Sequence, residues 1–346
     1  MVIVGAIALA GLSGCTPPMP PEVKAALSEE ASPCVADGDL SVGAPLQYQD
    51  LIQVFADDYT SACPNSTISV STDNSQVDIA FSDLASPMGC DIVAGGPIGY
   101  DAAAVVHNQL SVSEVDLRAK TLSKLLSDQI KIWSDASLVA DNPDAGLPST
   151  PVKLQLNAYG PALDALNVWG RQIDNANWAD TTAIKKVDNW NNDTDLSAAT
   201  EEDSVSVTPL SVALNNSLST VAILLPDQQY PVVADLNSTF AATGQLKVTD
   251  DASDVIRTVI DPNLPALKAD GTDQAALPWQ ALYPLNEYVC KGNNESASRA
   301  FARFILRINE QTQDESYYIT KSPEAIRLLT AGVIEKGLPT ASTSPQ

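Results

Sequence analysis

Apolar residues in this chain fall in short blocks that switch between a two-residue and a roughly four-residue step, and this switching limits the possible folds more than any other feature. Leu51, Phe55 and Tyr59 recur at four-residue steps inside Pro45–Ala62, which predicts a helix with Pro45 acceptable in its first turn. Ile68 and Val70 alternate within Thr67–Thr72 as in a strand, and Ile92–His107 is apolar and Gly-punctuated, the pattern of a buried strand. Leu122, Leu125, Leu126, Ile130 and Trp133 trace one face of a helix. Pro148–Leu156 reads as a strand, Ala162–Ile173 as a helix, and the Asn- and Asp-rich Asp174–Asp203 as an excursion with little regular structure. Phe301, Phe304, Ile305 and Ile308 form an amphipathic helix. Ser322-Pro323, a capping Ser followed by Pro, opens a last helix that runs to about Lys336 and stops at Gly337. Strands alternating with helices predict an α/β fold with mostly parallel sheets, and 346 residues suit one two-lobed domain or two ordinary ones.

With 45% apolar and 18% charged residues, the chain can bury a sizeable core. Acidic residues number 43 against 19 Lys and Arg, a formal charge of −24. That field repels nucleic acid and anionic headgroups, so no nucleic-acid partner is expected. The acidity reads as solubility and says nothing of a substrate.

Val2–Leu12 is an uninterrupted apolar and small-residue run that ends in Leu12-Ser13-Gly14-Cys15. Eleven residues cover about half of a bilayer core, so the run reads as a signal-peptide apolar region over residues 1–14. Leu-Ser-Gly-Cys resembles a bacterial lipobox, which makes Cys15 the lipidated (palmitate-carrying) residue and places the protein on the extracytoplasmic face of the cell membrane. The first basic residue is Lys24, so the basic segment of such a signal is expected upstream of Met1. Residues 15–35, with Pro17, Pro18, Pro20 and Pro21, form the anchor and tether, and 339–346 a polar tail.

Cys34, Cys63, Cys90 and Cys290 remain, an even number in an oxidising compartment, so two disulfides are expected. Four cysteines allow three pairings and the sequence does not choose among them; Cys63–Cys90 with Cys34–Cys290 is weakly preferred. There is no CxxC pair and His107 is the single histidine, so no metal site is expected. A Ser-His-Asp triad could form only around His107, which reads as hinge or surface packing, and no nucleophile elbow, Walker loop or dinucleotide fingerprint occurs. Catalytic residues and cofactors are therefore not expected, and neither is an enzyme. The five scattered tryptophans read as packing residues.

Three collinear segments resemble phosphate-binding lipoproteins of the PstS-like type, particularly the actinobacterial ones. The first is Gly43-Ala44-Pro45 leading to Ala62-Cys63-Pro64-Asn65. The second is Asp78-Ile79-Ala80-Phe81-Ser82-Asp83, with Cys90 and the run Val93–Ile98 after it. It continues through Leu122–Trp133 to Asn142-Pro143 and Leu147–Pro151. The third is Tyr283-Pro284-Leu285 with Tyr288-Val289-Cys290. The resemblance implies a periplasmic-binding-protein-like, Venus-flytrap fold of type II-like form. Lobe I would comprise 36–105 plus 280–338, and lobe II 106–279. It also implies a small anion held in the cleft by helix N-termini and short hydroxyls, and an ABC permease as partner. The helix opening at Pro45 would aim its N-terminus into that cleft.

On this resemblance the ligand-facing positions are Gly43, Ala44, Thr72, Ser75, Ser82, Asp83, Tyr159 and Gly160, with Asp83 at the family's ligand-reading Asp. The departures fall on the same shell. Ala44-Pro45 removes a hydroxyl and an N–H donor, and Asn157, Pro161 and Leu163 stand where the family carries Arg, Ser and Thr. The Gly-Asn-x-Gly and Gly-Ala-Ile-Gly-Tyr segments are replaced by Asn191-Asn192-Asp193 and Thr208–Leu214. Tyr159 would occlude the pocket or stack on an organic ligand, and Asp73 with Asp83 would repel a dianion. The functional expectation is a solute-binding protein with a degenerate or retuned anion site. Its competitor is a non-binding accessory subunit of an envelope complex, a transporter or respiratory assembly.

Overall fold

Strand β4, Ile92–His107, carries the architecture: sixteen residues, almost all buried, long enough to serve two regions of the molecule in succession. The computed structural model describes residues 34–72, 76–84, 87, 89–179, 183–187, 200–226, 228, 230–250, 254–268, 277–307 and 316–338. All of them lie in one compact unit, Pro33–Gln346. The signal, the lipobox, the tether up to residue 33, Asp73, Ser75, Trp190, Asn191–Asp193, Ile308 and the 339–346 tail lie outside the described residues.

Before β4 come β1 (Asp39–Gly43), α1 (Gln49–Ala62), β2 (Thr67–Ser71) and β3 (Ile79–Ser82). β1 pairs parallel with both β2 and β3, so α1 is the crossover helix between β1 and β2. It buries Leu51, Ile52, Phe55, Ala56 and Tyr59, and the Tyr59 ring packs 5.2 Å from Phe301 and 5.3 Å from Phe304. The expected helix start at Pro45 is instead a 3-10 turn, Leu46–Tyr48, and the α-helix begins only at Gln49. Tyr48 N–H closes that turn on the Pro45 carbonyl at 3.0 Å.

After β4 come β5 (Val115–Arg118), α2 (Ala119–Leu126), α3 (Ala136–Asp141), β6 (Lys153–Leu154), β7 (Asn157–Tyr159) and α4 (Gly160–Asp174). Helix α2 is shorter than the apolar periodicity predicts. Asp128 adopts a left-handed φ of 59°, and its N–H and that of Gln129 turn back onto the Leu125 and Lys124 carbonyls. Ile130 and Trp133 are thus buried from a turn. β8 (Lys185–Val187) interrupts the stretch expected to lack regular structure, pairing parallel with β7. Then follow β9 (Ser204–Pro209), α5 (Leu210–Asn215), β10 (Ser219–Leu224), α6 (Leu236–Thr243), β11 (Leu246–Asp250) and β12 (Arg257–Ile260). The chain closes with β13 (Leu282–Cys290), α7 (Glu295–Ile305), β14 (Thr320–Lys321) and α8 (Glu324–Glu335). Helix α8 is preceded by Pro323 at the cap position rather than Ser322: the Pro323 carbonyl accepts from Ile326 and Arg327 N–H at 2.9 Å, and no side chain caps the helix.

The main sheet runs β2-β1-β3-β13-β4-β10-β5, with β9 and β14 also on β4 and β6 on β9. The first part of β4 pairs antiparallel with β13, from Ile92↔Cys290 to Ala102↔Leu282, and its last residues, Ala103–His107, pair antiparallel with β9. These longest pairings correct the expectation of mostly parallel sheets, because β9 and β13 return from later in the chain against β4. Two apolar cores follow. One joins Leu40, Val42, α1, Ile98, Leu285 and helices α7 and α8. The other joins Ala102–Val106, α2, α4, Trp133, Trp279 and Leu282. The boundary between them falls within β4 and within β13, so these two strands cross from one core to the other. Ile256, just before β12, adds to the first core.

The disulfides are Cys34–Cys63 and Cys90–Cys290, which corrects the preferred Cys63–Cys90 and Cys34–Cys290 pairing. The reason is topological. The segment entering β1 passes the C-terminus of α1, where the Tyr59 hydroxyl donates to the Ala36 carbonyl at 3.5 Å. Antiparallel β4 and β13 bring the start of one beside the end of the other, with Lys291 N–H on the Asp91 carbonyl at 2.8 Å.

Candidate functional site

Where the two cores meet, the polar groups of the site converge on two carboxylates. Asp83 follows β3 and is 8% exposed; Asp101 lies within β4 and is 2% exposed. Tyr159, 1% exposed and the residue that precedes α4, donates its hydroxyl to Asp83 Oδ2. Asp101 accepts from Ala102 N–H at 2.7 Å, Ser211 N–H at 3.1 Å, Ser211 Oγ at 2.5 Å and Tyr48 Oη at 3.1 Å. It therefore receives an N–H from the first turn of α5 and ties the 3-10 turn before α1 to that helix. Tyr48 Oη also lies 3.4 Å from Tyr283 Oη, and the Tyr283 ring sits 6.3 Å from that of Tyr159.

The electrostatics follow from burial and from like charge. Desolvation pushes the Asp83 carboxyl up to about 7, against the lowering effect of the Tyr159 hydroxyl, and the Asp101 charge raises it further. Asp101 is also raised by burial, although Ser211, Ala102 and Tyr48 stabilise its charge. Tyr48, Tyr159 and Tyr283 are held protonated, well above the usual phenol range, by burial and by these carboxylates. Among the described residues no Lys, Arg or His side chain bonds to either Asp. The cluster can accept hydrogen bonds from a ligand and attract positive charge; it offers little to a dianion.

Of the positions inferred from the resemblance, Asp83, Tyr159 and Gly160 come together. Ser82 lies beside them, buried, but its Oγ accepts from Leu84 N–H at 3.0 Å in a local turn. Gly43 ends β1 as a buried ladder residue, and the Ala44 N–H is bonded to the Ser71 carbonyl at 2.9 Å. Thr72 is exposed, and Ser75 lies outside the described residues. Sequence reasoning missed Asp101, Tyr48, Tyr283 and Ser211. The signal for Asp101 was present: it is the one charged side chain in the apolar run Ile92–Val106.

His107 is not a surface group. It is buried at the end of β4, 6.1 Å edge-on from Trp133, and burial lowers its pKa to about 4. Trp133, Trp169, Trp178 and Trp279 are all core residues, with Trp169 and Trp279 at 4.6 Å. No group of His, Cys, Asp and Glu that could hold a metal occurs among the described residues, and no described helix is long and apolar enough to cross a membrane.

Outside Asp83 an open groove of ≈ 330 Å³ runs between α4 and the start of β13, with Asp83, Leu84, Pro161, Val168, Tyr283 and Pro284 in its walls. Asp164 and Lys186, an ion pair, stand at its rim.

Solved structures share this fold. An ancestral soluble variant of the human phosphate-binding protein superposes with a TM-score of 0.56 at 14% identity, over 89% of this chain and 96% of that one. A high-affinity periplasmic phosphate-binding protein, PfluDING, solved with phosphate bound, gives 0.55 at 15% identity over 89% and 95%. A DING protein gives 0.53 at 13% over 88% and 95%. No protein-family model matches the sequence, and no curated protein does. The chain thus has the mixed α/β, two-lobed fold of periplasmic phosphate-binding proteins.

Proposed function

We propose that this chain is an extracytoplasmic solute-binding protein of PstS-like fold, anchored through a lipid on Cys15, whose phosphate site is degenerate or retuned. In this reading lobe I is 36–105 with 280–338, lobe II is 106–279, and the cleft is the place of the Asp83 cluster. The observation that carries it is the Tyr159 hydroxyl on Asp83. The hydroxyl occupies Oδ2 of the carboxylate that would otherwise read a bound oxyanion, and Pro161 and Leu163 supply no side-chain hydroxyl from the turn that follows. A charge-assisted hydrogen bond contributes about 1.5–3 kcal/mol, so losing two weakens binding more than about a hundredfold. Two buried carboxylates without a cation repel a dianion further. The protein works by binding rather than catalysis. A permease of the ABC class is the partner that a receptor of this fold would serve.

Calorimetric titration of the purified chain with inorganic phosphate tests this. The expected outcome is a Kd weaker than micromolar; a micromolar or tighter value would overturn the reading.

One observation favours the second reading, an accessory subunit of an envelope transporter or respiratory complex: Tyr159 and Leu163 are each 1% exposed and fill the turn where ligand donors would stand. Co-purification from membranes of a defined membrane complex, with no solute stabilising the chain, would select it.

A further inference from the structure

We propose that the groove outside Asp83 binds an organic ammonium ion, a protonated primary amine on a short apolar body, with the Asp83 carboxylate as its counter-ion. This rests on the reading of a cleft rebuilt away from phosphate and gives that cleft a ligand class.

The groove joins one buried acceptor to apolar walls. Its ≈ 330 Å³ falls at the small end of ligand sites, and Asp83 forms part of its wall beside Leu84, Pro161, Val168, Leu282 and Pro284. Leu84 and Val168 are 39% and 49% exposed, large apolar side chains that a ligand's hydrocarbon part would cover. Charge selects the polar end. The groove holds two carboxylates, Asp83 and Asp164, and one ammonium, Lys186, which is already paired with Asp164 at the rim. The unmatched charge is Asp83, and Asp101 behind it is a second buried carboxylate. A cation is therefore the complementary partner, and an ammonium supplies three N–H donors where a phosphate dianion supplies none. The positive end of α4 faces this region too. It carries at most about half a charge, and Pro161 at the helix start removes one of its donors, so above pH 7 the carboxylate charge prevails. The chain's net charge of −24 draws cations toward every opening on it.

The groups facing Asp83 are Tyr159, Tyr283, Tyr48 and Asp101, with Tyr288 bonded to the neighbouring Leu84 carbonyl at 3.0 Å and the Asp164–Lys186 pair at the rim. The tyrosines stay protonated through neutral pH, and Asp83 is the group that titrates near 7. An alkylammonium, with a pKa near that of Lys at about 10.4, keeps its charge from pH 6 to 8. Affinity accordingly rises with pH across that interval.

The test is calorimetric and thermal-shift titration of the full chain with n-pentylammonium chloride, 1-pentanol and inorganic phosphate, at pH 6 and pH 8. Pentylammonium is expected to bind saturably at pH 8, about tenfold or more tighter than 1-pentanol, and about tenfold more weakly at pH 6. Asp83→Asn is expected to remove the preference for ammonium over alcohol. Val168→Lys, at an exposed helix position that leaves the core intact, is expected to weaken pentylammonium about tenfold. Equal binding of pentylammonium and pentanol, no saturable binding of either, or an unchanged ammonium preference in both variants would overturn the proposal. The phosphate arm separates the two readings. Tight phosphate binding sinks the proposed function, whereas weak phosphate and absent ammonium binding sink this inference alone.

Discussion

The Tyr159 hydroxyl donates to the Asp83 carboxylate across 76 positions of sequence, linking the end of β3 to the residue that opens α4. Its removal in Tyr159→Phe leaves a buried carboxyl with one stabilising partner fewer. The expected loss is about 1–3 kcal/mol in urea unfolding. Because that bond holds the Asp83 pKa down, the carboxyl is also expected to titrate at a higher pH in the variant, as read by carboxyl-carbon NMR.

Stability is expected to fall as pH rises from 4 to 8. Asp83 is raised from 3.8 to about 7 in the folded protein, so within that window the folded state holds a proton that the unfolded state has released. The contribution is complete below the unfolded pKa and is lost as pH passes through 7. On the order of 4 kcal/mol is at stake, at about 1.36 kcal/mol per pKa unit. Asp101 is displaced in the same direction, so Asp83→Asn should flatten the slope of stability against pH without abolishing it. An identical slope in wild type and variant would remove Asp83 as its source.

Asp101→Ala strips the acceptor from Ala102 N–H, both Ser211 donors and the Tyr48 hydroxyl. At about 1–3 kcal/mol for each buried donor left unpaired, with partial relaxation, a loss of at least about 3 kcal/mol is expected. Asp101→Asn keeps an acceptor and removes the charge that repels Asp83, so a markedly smaller loss is expected. Chemical denaturation of both variants makes the comparison.

The two disulfides close loops of very different length, with sequence separations of 29 and 200. On loop-closure entropy the shorter contributes about 4 kcal/mol and the longer about 5. Cys90→Ser with Cys290→Ser is therefore expected to lower Tm more than Cys34→Ser with Cys63→Ser, and differential scanning calorimetry reads the order directly.

Gly170 in α4 is a close-approach glycine: a Cβ there would stand 2.3 Å from the buried Trp178 indole, whose Nε1 is bonded to Asn167 Oδ1 at 3.1 Å. Gly170→Ala is expected to destabilise by about 1–3 kcal/mol despite the better helix propensity of alanine. Retained stability would mean that the indole can move.

Local pattern was enough for what local physics decides. Leu51, Phe55 and Tyr59 placed α1 on the first core, and the alternating Ile68 and Val70 sit in β2. The run Ile92–His107 is one buried strand because an apolar segment of that length must be covered on both faces. The order of such blocks determined the α/β class. Helix ends were less legible: α2 stops at Leu126 because Asp128 turns left-handed, although the apolar spacing continues to Trp133.

Tertiary structure decided everything that depends on chains meeting from far apart. The cysteine pairing followed from which strand ends lie side by side, a property of sheet order that spacing does not encode. The site was half visible. Asp83 and Tyr159 stand at positions that the sequence resemblance singles out, but their mutual hydrogen bond, and the gathering of Tyr48, Asp101, Ser211 and Tyr283 behind them, exist only where the two cores meet. Sequence by itself determined the residue types, two acids and several hydroxyls without a cation. The fold determined that these groups are buried together, and burial is what moves their proton equilibria and sets which charge the cleft can accept.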